Sequence, residues 1–382
     1  MQVAKSKPMP EVKLQLLVPK QLNMENKSSI RNTASLLMVI FTVMSIGVVS
    51  CQKNNSQEIK TTKKMEKYEW RPTACAPKYN PMQIHKGRLL YENGESIYIP
   101  SGHTLHQGWG KIGPTHVVGE DLKPAPVKLE ITWISYLERK FYTGNFDLPS
   151  EKINKLFKEG YINRLGKKDT YGRINIGLIP GGEVVVWMMG NGWSKEIGIF
   201  KASETEVSIK EFSPYAELSM EEFIDSVLEE DFKDEVKAKM NPDSIPFGKW
   251  NAYRKKFEWK PSVAFKKEGK LEEIRITFFN GESLYTIGSN KILDQFQNYA
   301  IPDHIRMEWT DQNNNQYGTR IYFEENEIHT VFEKMYEKSK DVPTELMLTI
   351  DKYNSDITIA LQNASESIDI KKARIKVYET SN

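Results

Sequence analysis

The pentapeptide YEWRP at residues 68–72 recurs, aromatic for aromatic and cation for cation, as FEWKP at 257–261. A repeat this distant constrains the fold if further landmarks follow in the same order at a slowly changing offset, because a duplicated domain keeps its sequence of elements. Trp70 and Trp259 are 189 positions apart, NGESIY at Asn93 and NGESLY at Asn280 are 187 apart, and Trp133 and Trp309 are 176 apart. Ile153 and Ile328, in SEKINKLFKEGY and ENEIHTVFEKMY, are separated by 175, and Asn191 and Asn363 by 172. The landmarks stay collinear while the offset shrinks as loops shorten. The pattern predicts two copies of one domain.

Each copy reads alike. The aromatic segments YEW and FEW favour extended backbone and stop at a proline. NGES between apolar residues is a turn signal, and VKLEITWIS and HIRMEWT approximate the alternation of strands. One helix follows in each, with Ile153, Leu156 and Phe157 and then Ile328, Val331 and Phe332 at i, i+3 and i+4; Gly160 is placed to end the first. Further strands close both copies. The predicted fold class is α+β: two tandem copies, each a largely antiparallel sheet with one packed helix. Between them LSMEEFIDSVLEEDFKDEVKAKM predicts a connector helix. Ser219 and Glu222 have capping-box spacing, Leu218 can staple onto Phe223, and Ile224, Leu228, Phe232, Val236 and Met240 form an apolar stripe. That stripe predicts packing on one of the domains.

Ahead of the copies, Lys27 and Arg31 precede the apolar run from Ala34 to Ser50, and Cys51 follows, which is the layout of a secretory signal. From Met24 the leader has an ordinary length, so Met24 is the expected start. VVSC at 48–51 resembles the bacterial lipobox, which implies that Cys51 carries a fatty-acyl, palmitate-type anchor. A retained membrane anchor or plain secretion are the alternatives, but the apolar run is short of the roughly 20 residues a spanning helix needs. Gln52, where inner-membrane retention usually has Asp, implies the outer membrane, facing periplasm or cell surface. The next sixteen residues, QKNNSQEIKTTKKMEK, read as a flexible tether reaching on the order of 20 Å. The predicted organisation is leader 1–50, tether 51–66, first copy 67–215, connector 216–245 and second copy 246–382.

Charge excludes some partners. The chain holds 53 cations and 51 anions, and without the first 50 residues 47 and 49 remain. A balanced body with no basic run argues against nucleic acid and against general adhesion to anionic lipid. With Cys51 acylated, Cys75 has no disulfide partner, so the domains must stand on their cores. No phosphate-cradling loop, nucleophile elbow, paired CxxC or HExxH is written in the chain, and no cofactor or metal is expected. Trp70, Trp133, Trp259 and Trp309 recur in matched pairs and are read as core.

The copies differ most between NGES and the following tryptophan, where the first is eleven residues longer. The excess falls in or near SGHTLHQGWGKIGPTHVVGED, with His103, His106 and His116, Trp109 and five glycines. Three histidines can form a zinc site, but no acidic partner or capping element fixes them. A recognition loop or a glycine-bent structural loop are the other readings.

The lipobox leader, YEWRP, GWG at 108–110, ITWISYLERKFY at 131–142 and LPSEKINKLF at 148–157 together resemble an uncharacterised bacterial lipoprotein family, domain of unknown function 2931. The similarity covers most of residues 65–200. It brings no catalytic residues with it, and it implies a kinship with immunity-type lipoproteins. The resulting expectation is a lipid-anchored envelope protein that binds a protein partner rather than catalysing a reaction, with His103, His106, Trp109 and His116 as its contact loop. An envelope hydrolase acting on glycan or lipid through those histidines, and a carbohydrate-binding accessory protein using exposed tryptophans, are the alternatives.

Overall fold

A computed structural model describes residues 65–116, 119–338 and 342–380. The leader, Cys51 and nearly all of the tether lie outside the described residues. In chain order the first part contains β1 (Lys67–Glu69), β2 (Arg71–Cys75), β3 (Met82–Leu90), β4 (Ser96–Tyr98), β5 (Thr104–Leu105), β6 (Leu122–Pro124), β7 (Lys128–Ser135), β8 (Lys140–Asp147), α1 (Ser150–Glu159), β9 (Tyr161–Ile162), β10 (Lys168–Asp169), β11 (Arg173–Ile179), β12 (Glu183–Met189), β13 (Ser194–Lys201) and β14 (Ser203–Thr205). Then come α2 (Ile209–Phe212), α3 (Met220–Glu230), α4 (Asp234–Lys237) and α5 (Lys249–Ala252). The last part contains β15 (Lys256–Phe265), β16 (Gly269–Phe278), β17 (Ser283–Ile287), β18 (Gln297–Ala300), β19 (Pro302–Asp311), β20 (Gln316–Tyr322), α6 (Glu325–Lys338), β21 (Thr344–Ile350), β22 (Ile357–Gln362), β23 (Ser367–Ile370) and β24 (Arg374–Glu379). The protein is mostly β with few helices, and no described helix is long and apolar enough to cross a membrane.

The expectation of one sheet per copy needs correction, because each part encloses its core between two sheets. In the N-terminal part, β14-β8-β7-β3-β4 faces β2-β11-β12-β13. Inward residues of β7 (Leu129, Ile131, Trp133) share a core with Ile174, Ile176 and Leu178 of β11 and Val184, Val186 and Met188 of β12. Ile153 and Phe157 of α1 join that core, and the helix stops at Gly160, whose φ of +60° suits glycine. A Cβ at Gly160 would collide with the Asp169 carbonyl oxygen. β12, EVVVWMM, is apolar on both faces and is covered twice, Val184, Val186 and Met188 by the facing sheet and Val185, Trp187 and Met189 by Trp109, Trp250 and Tyr253.

The C-terminal part has the sheets β17-β16-β19-β20-β24 and β18-β15-β21-β22-β23, with α6 against their shared core. In both parts a first strand lies parallel to a strand beyond the helix, β2 on β11 and β15 on β21; the other named pairings are antiparallel. β3 slips register between Ile84 and Lys86 where Ile84 faces Trp133, and β16 slips between Leu271 and Glu273 where Leu271 faces Trp309. Trp70, Trp133, Trp259 and Trp309 are all buried. Each removes roughly 200 Å² from water, about 5 kcal/mol at 25 cal/mol per Å². A single pair, Ser194 with Ser283, joins β13 to β17 and makes one nine-stranded sheet of the two parts.

The expected connector helix is broken in two. α3 begins with the predicted capping box, the Ser219 side chain accepting from the Glu222 amide and the Glu222 carboxylate from the Ser219 amide. It ends at Asp231, and α4 restarts after Lys233 with Asp234 and Glu235 in its first turn, where acids favour a helix start. The interruption lets Phe232 bury with Ile224 and Val227 on Ile134, Tyr136 and Phe141, on the outer side of the first part's sheet.

Candidate binding site

The glycine-rich loop after β4 folds mostly inward. Gly113 donates its amide to Thr73 Oγ1 at 3.1 Å, Gln107 Nε2 donates to the Ala74 carbonyl at 3.0 Å, and Asn175 Nδ2 donates to the Lys111 carbonyl at 3.2 Å. These bonds stitch the loop over β2 and over Cys75, a buried free thiol that burial pushes up to about 12. Trp109 turns away from the surface. Its ring meets Trp187 edge-on at 4.6 Å and Trp250 at 6.4 Å, in an apolar cluster with Val185 and Tyr253. Gly110, at φ +65°, lies against the turn at Gly281 so closely that a Cβ would come within 2.6 Å of the Gly281 Cα. This half of the expected contact loop is therefore a clasp between the two parts of the protein, because it packs on Trp187 of the first part and on Trp250 and Gly281 of the second.

The histidines separate. His106 packs edge-on against Phe232 at 4.9 Å, whereas His103 and His116 are exposed and meet each other edge-on at 5.9 Å. Among the described residues neither exposed ring has a carboxylate ion-pair partner, and no group of three His, Cys, Asp or Glu could hold a metal ion. The geometry brings together two of the four expected site residues and commits the other two to packing.

His116 instead walls a trough of about 890 Å³ on the outer face of β3, β7 and β8. The outward positions of the strands line it: Lys86 and Arg88, Glu130 and Thr132, Thr143 and Asn145. The Arg88 guanidinium donates to the Glu130 carboxylate at 2.6 Å, and the Thr132 and Thr143 hydroxyls bond at 2.8 Å. Lys86 reaches Glu211 of α2 at 2.6 Å. His85 Nε2 lies 3.6 Å from the same carboxylate, too far for a hydrogen bond, and burial together with Lys86 holds its imidazole below the ordinary value. At the rim Tyr98 is 72% exposed. Such a surface offers donors and acceptors in fixed positions, each cation already steered by a protein oxygen. It can orient a polar partner, but it presents no nucleophile activated by a hydrogen-bonded base. Sequence reasoning missed these residues because each is an ordinary outward polar position of a strand; the available signal was the alternation along β3, β7 and β8.

The family profile "Protein of unknown function (DUF2931)" matches residues 52–248, slightly more than half of the chain. The chain belongs to the DUF2931 family. The DUF2931 region contains every residue that lines the trough and continues through α2, α3 and α4, ending before β15. No curated protein and no solved structure matches the chain.

Proposed function

We propose that this DUF2931 protein is a non-catalytic binding module of the cell envelope, tethered to the outer membrane by an acylated Cys51, and that its partner is a protein, such as a toxin that it neutralises. The observation that carries the binding reading is the trough over Arg88, Glu130, Thr132 and Thr143, a preformed polar surface beside the exposed ring of Tyr98. Tyr and Arg are enriched in the anchoring positions of protein interfaces. The carbohydrate reading needs exposed tryptophans, and the four paired ones are buried. The hydrolase reading needs imidazoles converging on a carboxylate, whereas His103 and His116 converge on each other.

The same proposal includes two tandem copies, residues 67–215 and 246–382, joined by the segment 216–245. The equivalent strand pairings, the matching register slips opposite Trp133 and Trp309, and the equivalent placement of Ile153 and Ile328 in the two cores support it.

A photo-crosslinking residue at Tyr98, in the full chain expressed in its own envelope, tests the binding reading. A discrete protein adduct that fades in Arg88→Ala is expected. Absence of any protein adduct, or one indifferent to Arg88, would overturn it. Loss of palmitate incorporation in Cys51→Ala is the expected result for the anchor, and retained incorporation would refute it.

A further inference from the structure

The outer face of the C-terminal sheet carries a charge pattern that folding alone does not explain. Across β17, β16, β19, β20 and β24 one row of directly opposed residues reads Tyr285, Arg275, Arg306, Arg320, Lys376. Their neighbours along the strands, Ile274, Ile276, Ile305, Met307 and Ile321, point into the core, so the cations point outward. Arg306, Arg320 and Lys376 are exposed. Like charges directly opposite each other destabilise a sheet, and here three successive pairs are positive. None of the four cations has an ion-pair partner among the described residues. The buried Nε of Arg275 makes no hydrogen bond, and burial and then Arg306 pull that guanidinium below its ordinary value. Arg275 and Arg320 lie over the rings of Tyr285 and Tyr378 at 5.8 and 5.9 Å.

The N-terminal sheet has the corresponding row, Tyr98, Arg88, Glu130, Asn145, and there the charge is balanced within the sheet. That sheet also shows what the fold itself lays on such a face. Helices cover part of it and bring acids to its cations: Glu211 of α2 holds Lys86, while Glu221 and Asp225 of the acidic α3, one turn apart, both hold Arg139. No described helix takes that place over Arg306 and Arg320, which remain open.

We propose that the Arg275, Arg306, Arg320 and Lys376 row is the seat of an acidic helix from a partner protein, presenting one carboxylate per turn. A helix advances about 5.4 Å per turn and strands lie about 4.8 Å apart, so four carboxylates and four cations keep step within the reach of the side chains. Guanidinium groups pair with carboxylates through two hydrogen bonds. The mixture of arginine and tyrosine matches a protein interface better than the lysine-rich surfaces that meet anionic lipid. The inference rests on the binding-module reading only in that the protein works by contact, and its residues are distinct from the trough.

The test uses the purified full chain and a labelled synthetic helix with Glu at every i, i+4 position of one face, read by fluorescence anisotropy. The control peptide has the same composition with its acids dispersed around the helix. The aligned peptide is expected to bind at least tenfold more tightly than the control and to weaken as salt rises. The double variant R306E/R320N, which writes the first sheet's charge pattern into the second, is expected to lose binding at least tenfold; K376Q gives a smaller loss and guards against misfolding of the double variant. Equal binding of the two peptides, no binding of the aligned one, or indifference to R306E/R320N would overturn the proposal. So would row-dependent binding of inorganic polyphosphate or phosphatidylglycerol vesicles without binding of the peptide. Arg88→Ala leaves this peptide's binding unchanged, which keeps the failure of the trough reading separate from the failure of this one.

Discussion

The sequence NGES occurs at 93–96 and at 280–283 and builds the same turn twice, with opposite surroundings. Asn93 Nδ2 donates to Glu95 Oε2 at 2.8 Å and Asn280 Nδ2 to Glu282 Oε2 at 3.0 Å; each Glu amide donates back to its Asn Oδ1 at 3.1 Å. Both glycines sit at φ +84°. Yet Glu95 is exposed, whereas Glu282 is 3% exposed, takes the Glu196 amide at 3.0 Å and the Lys256 ammonium at 2.6 Å, and lies in the joint that Trp109 and Trp187 close. Local bonds fix a turn's shape, and what arrives against it fixes its energetic weight.

The sharpest way to break this pairing is to remove the acid. Glu282→Ala leaves Lys256 facing a buried turn and is expected to cost about 3 kcal/mol, whereas Glu95→Ala is expected to stay within about 0.5 kcal/mol, both read from urea midpoints. The glycines come next. Gly281→Ala combines a left-handed backbone with a Cβ only 2.9 Å from the Trp187 ring, for an expected loss of about 2 kcal/mol. Gly94→Ala, with nothing within 4 Å of its Cβ, is expected to lose about 1 kcal/mol.

Acid sharpens the contrast further. Burial alone would raise the Glu282 carboxyl, but Lys256, Lys195 and the bonds from Lys256 and Asn280 hold it below the ordinary carboxylate value. A depressed folded value contributes stability above the unfolded pKa, about 4.3, and loses it as pH falls through the folded value. Unfolding free energy is therefore expected to drop more steeply below pH 4.5 in the wild type than in Glu282→Gln, and equal slopes would refute the role of Glu282. The smallest effect concerns the two outer faces. R306E/R320N relieves opposed cations and is expected to raise stability by about 0.5 kcal/mol, measurable as a higher urea midpoint.

Several elements were legible in the chain. Trp70, Trp133, Trp259 and Trp309 were legible as core from their recurrence at long offsets, while the end of α1 at Gly160 and the capping box at Ser219 follow from residues within one or two turns. The break between α3 and α4 was not, because Phe232 fits the four-residue stripe and only the pocket beside Tyr136 and Phe141 requires it to leave the helix. The second sheet of each part was hidden because a strand does not name the layer it faces. For the candidate site, His116 lies on the trough wall, whereas Trp109 packs inward on Trp187 and Trp250, and a glycine-flanked tryptophan gives no sign of the partner that will cover it.

By itself the sequence determined the turns, the alternating strands and the helix start, because backbone torsions and side chain to backbone bonds act over a few residues. Only the tertiary structure decided that one NGES turn is solvated and its twin is enclosed, that Trp109 clasps rather than contacts, and that four cations line up across one sheet. Those outcomes depend on desolvation and on strand register, which are set by segments brought together from distant parts of the chain.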